Sequence, residues 1–168
     1  MRDRRLLVTL ACLAATIAAC GGGDGEVQST AAAALGVALT APPGWFASDD
    51  GLTVAANRSD LVGETATGPR IRVLQARESD QTGADLVEEY SGVDVDVVAE
   101  PERVSVDGRS GVAVTLRESE PETDSHVVRR YIAITGAKGI AVLFVLEAPP
   151  DAFDSNVAEM TRALGWTE

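Results

Sequence analysis

One histidine and several groups of carboxylates are the residues of this 168-residue sequence that could perform catalysis or bind a metal. His126 alone cannot form a multi-histidine metal site. As a general base it would need a nucleophile and an orienting partner, which no motif indicates. The sequence also lacks the HExxH, Walker, GxGxxG and GxSxG patterns. We therefore interpret His126 as a surface residue on a strand, and we predict a non-enzymatic protein without a metal or a cofactor.

The acidic groups are interpreted as solvated loop charge. Asp94 and Asp96 do not begin a calcium loop, because the segment lacks a glycine at the sixth position and a glutamate at the twelfth. Weak calcium binding by the acidic loop of residues 118–124 stays open as an alternative. This loop carries Glu118, Glu120, Glu122 and Asp124.

Cys20 has the clearest chemical context in the sequence. It ends the tetrapeptide Ile17-Ala18-Ala19-Cys20, which resembles the bacterial lipobox, where the cysteine receives a thioether-linked diacylglyceryl group with palmitate-like chains. Arginines and then an apolar run over residues 6–19 precede it, as in a secretory signal, and the run is too short to span a membrane. We predict a signal peptide over residues 1–19 and lipidation of Cys20, which anchors the protein to the outer face of the plasma membrane.

The charge of the predicted mature chain limits its partners. Without the three arginines and Asp3 of residues 1–19, it keeps 11 basic and 25 acidic residues, a formal charge of −14. Such a chain repels phosphate backbones, so nucleic-acid binding is disfavoured. Cys20 is the last cysteine, so no disulfide can form within the domain. Residues 20–33 are predicted to be a flexible tether, and residues 34–168 one domain.

Trp45 is the residue most suited to binding a ligand. It follows Pro42-Pro43-Gly44, and a large aromatic side chain in such an entry can line a groove. A tryptophan at this position can equally close the end of a hydrophobic core, which is the interpretation we favour. The sequence does not specify whether a groove is open beside Trp45.

Alternating apolar and polar residues predict an α+β fold, a mostly antiparallel sheet of about six to seven strands flanked by helices. Asp107-Gly108 between two alternating runs predicts a tight hairpin. A short helix over residues 84–90 is expected to dock through Leu86, Val87 and Tyr90. Strands are expected near residues 34–39, 52–56, 70–76, 104–106, 111–118, 127–135 and 140–146.

The end of the chain carries the strongest local patterns. The strand at 140–146 is apolar on both faces, which predicts helices on both faces of the sheet or a partner on the second. A closing helix follows, with Asp151 as its expected cap and Gly165 as its expected left-handed stop. Its core stripe is Phe153, Val157, Met160 and Leu164, and Trp166 is expected to fold back on the last turn.

Four segments resemble the PsbP-like α/β/α sandwich, which is shared by photosystem extrinsic proteins, a nuclear Ran-binding factor and LpqN-type lipoproteins of actinobacteria. They are Ala41-Pro42-Pro43-Gly44-Trp45, Val106-Asp107-Gly108 with Gly111-Val112-Ala113, residues 131–146, and Leu164-Gly165-Trp166. The resemblance implies a non-enzymatic module that binds or assists larger assemblies, in the cell envelope for the lipoprotein members. It gives no binding residue specific enough to be assigned here.

The leading hypothesis is therefore a lipid-anchored, extracytoplasmic binding or accessory module for a cell-envelope protein. The alternative is a carrier for a small apolar or lipid ligand in a pocket between sheet and helix near Trp45. A hydrolase using His126 with a serine or aspartate is a more distant alternative.

Overall fold

The computed structural model describes residues 30–63, 66–75, 83–90, 95–120, 125–136 and 141–167. The predicted signal peptide, Cys20 and most of the tether lie outside these residues, as do residues 121–124 of the acidic loop. No helix within the described ranges is both long and apolar enough to cross a membrane.

The fold is α+β and mostly antiparallel, which confirms the predicted fold class. Within the described residues, a seven-stranded antiparallel sheet has the order β2-β3-β4-β8-β7-β6-β5, and β1 pairs with β9 in a separate two-stranded sheet. The elements in chain order are α1 (Thr30–Leu35), β1 (Val37–Leu39), β2 (Phe46–Ala47), β3 (Thr53–Ala55), a 3₁₀ helix (Arg58–Leu61), β4 (Arg70–Gln75), α2 (Gly83–Tyr90), β5 (Val95–Val106), β6 (Arg109–Glu120), β7 (Ser125–Thr135), β8 (Ala141–Ala148), α3 (Pro150–Arg162) and β9 (Leu164–Trp166).

The hairpin between β5 and β6 turns at the predicted dipeptide. Asp107 and Gly108 have φ angles of 47° and 79°. Positive φ at both central residues is the conformation of a type I′ turn, whose twist matches the flanking strands. The hairpin prediction is therefore confirmed.

The strand β8 is covered on both faces, as its apolar sequence predicts. Residues Val142, Phe144 and Leu146 belong to the larger core cluster, which includes Phe153 and Met160 of α3. Leu143 and Val145 belong to a second cluster, against which Tyr90 of α2 packs. Of the three predicted docking residues of α2, Tyr90 packs on the sheet as predicted. The side chains of Leu86 and Val87 lie outside the described residues.

The start of the described chain differs from the prediction. Residues 30–35 form a helix in which Ala32 is buried, and the strand expected near residues 34–39 is confined to Val37–Leu39. The physical reason is the run of alanines at 31–34, because alanine has the highest helix propensity.

Both ends of α3 also differ from the prediction. Pro149 occupies the N-cap position without a side-chain hydrogen bond, and Pro150 is the first helical residue, so Asp151 is not the cap. The helix stops at Ala163, and Gly165 is not left-handed but lies in β9, paired with Ala38. The N–H of Ala163 donates to the carbonyl oxygens of Glu159 and Met160 in the last turn, and the carbonyl oxygen of Ala163 accepts from the N–H of Thr40, so these groups are satisfied without a glycine cap.

Trp166 anchors this C-terminal strand. Its ring meets Phe144 edge-on at a centroid distance of 5.5 Å, and its Nε1 donates a hydrogen bond of 2.9 Å to the carbonyl oxygen of Val106. It therefore packs on the core, as expected, but from a strand rather than from a helix end.

Candidate functional site

The structure places His126 on the surface, opposite Ser119 of β6. Its side chain is exposed near the start of β7, and its Nδ1 lies 3.3 Å from the Oγ of Ser119. Within the described ranges, no group of three or more histidine, cysteine, aspartate or glutamate side chains could hold a metal ion. Residues 121–124 lie outside those ranges, so calcium binding by the loop stays a prediction.

An open groove lies beside Trp45, at the β2 edge of the sheet. It has a volume of about 560 Å³. Trp45 is half-buried: it packs against the larger core cluster and also lines the groove, and ligand binding by this residue stays a prediction. We call this feature the Trp45 groove; it is lined by Trp45, Phe46, Ala47, Ser48, Asp49, Arg58, Leu61 and Val62.

The wall of the Trp45 groove is the 3₁₀ helix and the residues that follow it. The guanidinium carbon of Arg58 lies 5.0 Å from the centroid of the Phe46 ring, a cation–π contact between this helix and β2. Val62, just after the helix, is 77% exposed. An exposed valine among the residues that line the groove is apolar surface that a partner could cover.

Asp60 holds the 3₁₀ helix in its conformation. Its buried carboxylate accepts hydrogen bonds from the Oγ of Thr67 at 3.0 and 3.1 Å, from the side chain of Asn57 at 3.2 Å and from the backbone N–H of Gly68 at 2.9 Å. Burial acts to raise the pKa of Asp60, but these hydrogen bonds outweigh it and keep the pKa below the usual range. The carboxylate therefore stays ionised and keeps its donors in place.

Arg70 connects this wall to the sheet. Its side chain is 1% exposed, and its Nη1 donates to the carbonyl oxygens of Asp60 and Gly63, both at 3.0 Å. Its Nε forms an ion pair with the Oε1 of Glu147, which is fully buried in β8. One arginine thus fixes the loop that forms the groove wall to the centre of the sheet.

Glu147 lies at the centre of a row of charges on one face of the sheet. Arg70, Glu147 and Arg129 are directly opposite one another on β4, β8 and β7, so their side chains share a face. The Oε2 of Glu147 accepts hydrogen bonds from Arg129 at 2.8 Å and from Arg72 at 3.1 Å. We call this set the charged row; it consists of Arg70, Arg72, Glu147, Arg129, Glu118 and Tyr131.

The far end of the charged row is Glu118 of β6. Its carboxylate pairs with Arg129 and accepts a hydrogen bond of 2.6 Å from the hydroxyl of Tyr131. Burial, with that hydrogen bond, raises the pKa of Tyr131. Burial acts to lower the pKa of Arg129, but its bonds to Glu147 and Glu118 raise it overall. Tyr131 therefore stays neutral and Arg129 charged. Tyr90 stacks on Tyr131 at a centroid distance of 4.2 Å, which places α2 on this face.

Sequence reasoning found Trp45 but missed the charged row. Arg70 and Glu147 are 77 residues apart, and no local pattern predicts that they meet. A signal was available, since Glu147 follows directly on a strand that is apolar on both faces, where a carboxylate is rare unless it is paired.

Part of the chain is similar to several solved structures. A protein from Bacteroides thetaiotaomicron matches with a TM-score of 0.48 and 13% identity over 79% of this chain, which spans only 46% of the length of that protein. The Ran-binding protein Mog1p of Saccharomyces cerevisiae matches with a TM-score of 0.46, 17% identity, 79% of this chain and 91% of its own. A mutant of protein Mog1 matches with a TM-score of 0.45, 17% identity, 79% of this chain and 92% of its own.

No protein-family model matches the chain, and no curated protein matches it.

Proposed function

We propose that this protein is a lipid-anchored, extracytoplasmic binding module of the PsbP-like type, which recognises a cell-envelope protein through the Trp45 groove. The open groove is the observation that carries the proposal. It is lined by the aromatic residues Trp45 and Phe46, its wall is fixed to the sheet by Arg70, and the apolar side chain of Val62, which also lines it, is exposed. A site that is already ordered before binding loses little entropy on binding, which favours affinity for a protein surface.

The interior between the sheet and α3 gives less support to the carrier alternative. Phe144 and Met160 are fully buried there, and Phe153 and Leu146 belong to the same cluster. Side chains that are buried in a core cluster are not exposed to a ligand at that place. A ligand near Trp45 would therefore lie in the open groove. An open groove suits a macromolecular partner better than it suits a small apolar ligand.

Anchoring is tested by the variant Cys20→Ala. We expect the wild-type protein in the membrane fraction and the variant released into the soluble fraction, because two acyl chains anchor stably where one is marginal. Cell fractionation with immunoblotting measures the distribution. Cys12→Ala is the matched control, since that cysteine lies within the predicted signal and should leave anchoring unchanged. A Cys20→Ala protein that stayed with membranes would show that the lipid is not the anchor.

Recognition is tested by placing a photoreactive amino acid at Val62. We expect a discrete protein adduct after irradiation of intact host cells, since this side chain is 77% exposed beside the groove. Val98 is the control position: it is 49% exposed and lies on β5, the opposite edge of the sheet. We expect no matching adduct there. An adduct of lipid mass at position 62 would favour the carrier instead, and adducts shared by both positions would count against a specific site.

A further inference from the structure

The Trp45 groove follows the outer edge of β2. Within the described residues, β2 is the last strand of the seven-stranded sheet and pairs on one side only, with β3. Residues 45–48, in and beside β2, are consecutive, and all four line the groove. Because successive side chains of a strand point to opposite faces, four consecutive residues line one groove where it runs along the edge of the strand. The groove therefore gives access to the main chain of β2.

Ala47 is the residue of β2 whose main-chain groups point to this edge. The N–H of Ser48 donates to the carbonyl oxygen of Thr53 at 2.9 Å, so Ser48 and Thr53 are a hydrogen-bonded pair. Hydrogen-bonded and non-hydrogen-bonded pairs alternate along an antiparallel ladder, so the next pair, Ala47 and Val54, is not hydrogen-bonded. The N–H and C=O of Ala47 are therefore directed away from β3, toward the groove.

The pairing of β3 with β4 leads to the same assignment. The N–H of Val73 donates to the carbonyl oxygen of Leu52 at 2.8 Å, which makes these two residues a hydrogen-bonded pair. Two residues further along β3, Val54 is opposite Ile71 and belongs to the same hydrogen-bonded set. The main-chain groups of Val54 thus bond to β4, and those of Ala47 have no partner on β3.

The turn after β2 adds negative charge beside this edge. Asp49 and Asp50 follow β2 closely, both are exposed, and Asp49 itself lines the groove. Arg58 is the positively charged residue among those that line the groove, and its guanidinium lies over the ring of Phe46. A polypeptide segment that enters along β2 therefore meets two carboxylates at the Asp49 end, which favours a basic side chain there.

From this geometry we propose that the Trp45 groove binds an extended segment of the partner protein, which adds to the sheet as a strand at the edge of β2. One residue of that segment exchanges two main-chain hydrogen bonds with Ala47, and a lysine or arginine of the segment lies beside Asp49. In this mode, main-chain hydrogen bonds contribute affinity and the alternate side chains contribute selectivity. The inference rests on the proposed function, because it states how the partner is recognised at the same groove.

The first test introduces Ala47→Pro into the full chain that carries the photoreactive amino acid at position 62. Proline has no N–H, but an edge strand tolerates it where that N–H points away from the ladder. We expect the purified variant to keep the wild-type circular dichroism spectrum and urea midpoint. In intact host cells we expect the adduct at position 62 to fall about tenfold, because one hydrogen bond is lost and the proline ring occupies the edge.

Two variants are the controls for this test. Ala47→Gly keeps the N–H and should give the wild-type amount of adduct. Ser48→Pro removes the N–H that donates to Thr53, so it should lower the urea midpoint, which Ala47→Pro should not. The contrast between neighbouring positions checks the direction of the Ala47 N–H.

The second test is a titration of the ¹⁵N-labelled protein, purified in nonionic detergent, with acetyl-Thr-Val-Lys-Val-Thr-amide. We expect this peptide to shift the amide resonance of Ala47 downfield and saturably. The same peptide methylated on its three central amide nitrogens has the same side chains but cannot donate these hydrogen bonds, so it should bind at least about tenfold more weakly. Glutamate in place of the lysine should also weaken binding, because it would lie beside Asp49.

Several outcomes would overturn the proposal. They are an adduct that persists in Ala47→Pro, an Ala47→Pro protein that does not fold, an Ala47 resonance that the peptide does not move, and equal binding of the methylated and unmethylated peptides. An adduct that persists in folded Ala47→Pro would refute strand addition and leave the proposed function intact. If the wild-type protein gave no adduct at position 62, the proposed function would fail, and the peptide titration would still decide strand addition.

Discussion

Replacing Glu147 by glutamine is expected to lower the free energy of unfolding by about 3–5 kcal/mol, the range measured when one partner of a buried ion pair is removed. Glutamine has nearly the same shape, so the change is mainly the loss of charge. Arg70, which is 1% exposed, would keep its charge but lose its ion pair with the Glu147 carboxylate. The glutamine amide would also direct hydrogens at arginine donors that now share the carboxylate. Urea denaturation followed by circular dichroism measures the difference.

Glu102→Gln is the matched control for this prediction. Glu102 forms a carboxylate–guanidinium ion pair with Arg130, as Glu147 does with Arg70, but the side chain of Glu102 is 54% exposed. Exposed ion pairs contribute about 0–1 kcal/mol, so this variant should change stability little. Equal losses in the two variants would mean that burial does not determine the contribution of Glu147. The groove wall should loosen in Glu147→Gln, since Arg70 also holds the carbonyl oxygens of Asp60 and Gly63.

Gly111→Ala is expected to destabilise the domain by about 3 kcal/mol, the upper part of the range for overpacking. A Cβ at this position would lie 2.3 Å from the carbonyl oxygen of Ala133 and 2.3 Å from the Cγ1 of Ile134. The first of these atoms is backbone of the paired strand β7 and cannot rotate away. The strands β6 and β7 must therefore separate locally, at the cost of ladder hydrogen bonds. Thermal and urea unfolding both measure this loss.

Gly165→Ala provides the comparison within the same molecule. The nearest atom to its added Cβ is the carbonyl oxygen of Ala38 at 3.6 Å, an ordinary contact, and its φ is not in the left-handed region. We expect a change within about 0.5 kcal/mol, as for substitutions away from strained positions. A left-handed Gly165 would instead lose about 1–2 kcal/mol on substitution. That larger loss would contradict the strand β9 described here.

Several elements could be predicted because their causes are local. Asp107-Gly108 forms the hairpin since only such residues readily adopt positive φ at both positions. The strand at 141–148 lies inside the sheet because it is apolar on both faces. The stripe with Phe153 and Met160 faces the core, as helical spacing requires.

The errors arose where two local signals competed or where a distant strand decided the outcome. The alanine run before Val37 favours a helix, whereas the strand prediction was drawn from Val37 and Leu39. A glycine after a helix is typical of a left-handed stop. Here, however, Gly165 pairs with Ala38 of β1 and is therefore extended in the strand β9. Helix ends depend on such tertiary partners as much as on their own residues.

The α+β class and the interior strand could be predicted from the sequence by itself, because each depends on neighbours along the chain. Export and lipidation at Cys20 rest on the sequence alone and stay predictions. Only the tertiary structure decided the candidate site. It brought Arg70 to Glu147 across 77 residues, connected the 3₁₀ helix to the sheet and formed the groove beside Trp45. The physical reason is that strand order and register, which sequence periodicity does not specify, determine which charges share a face.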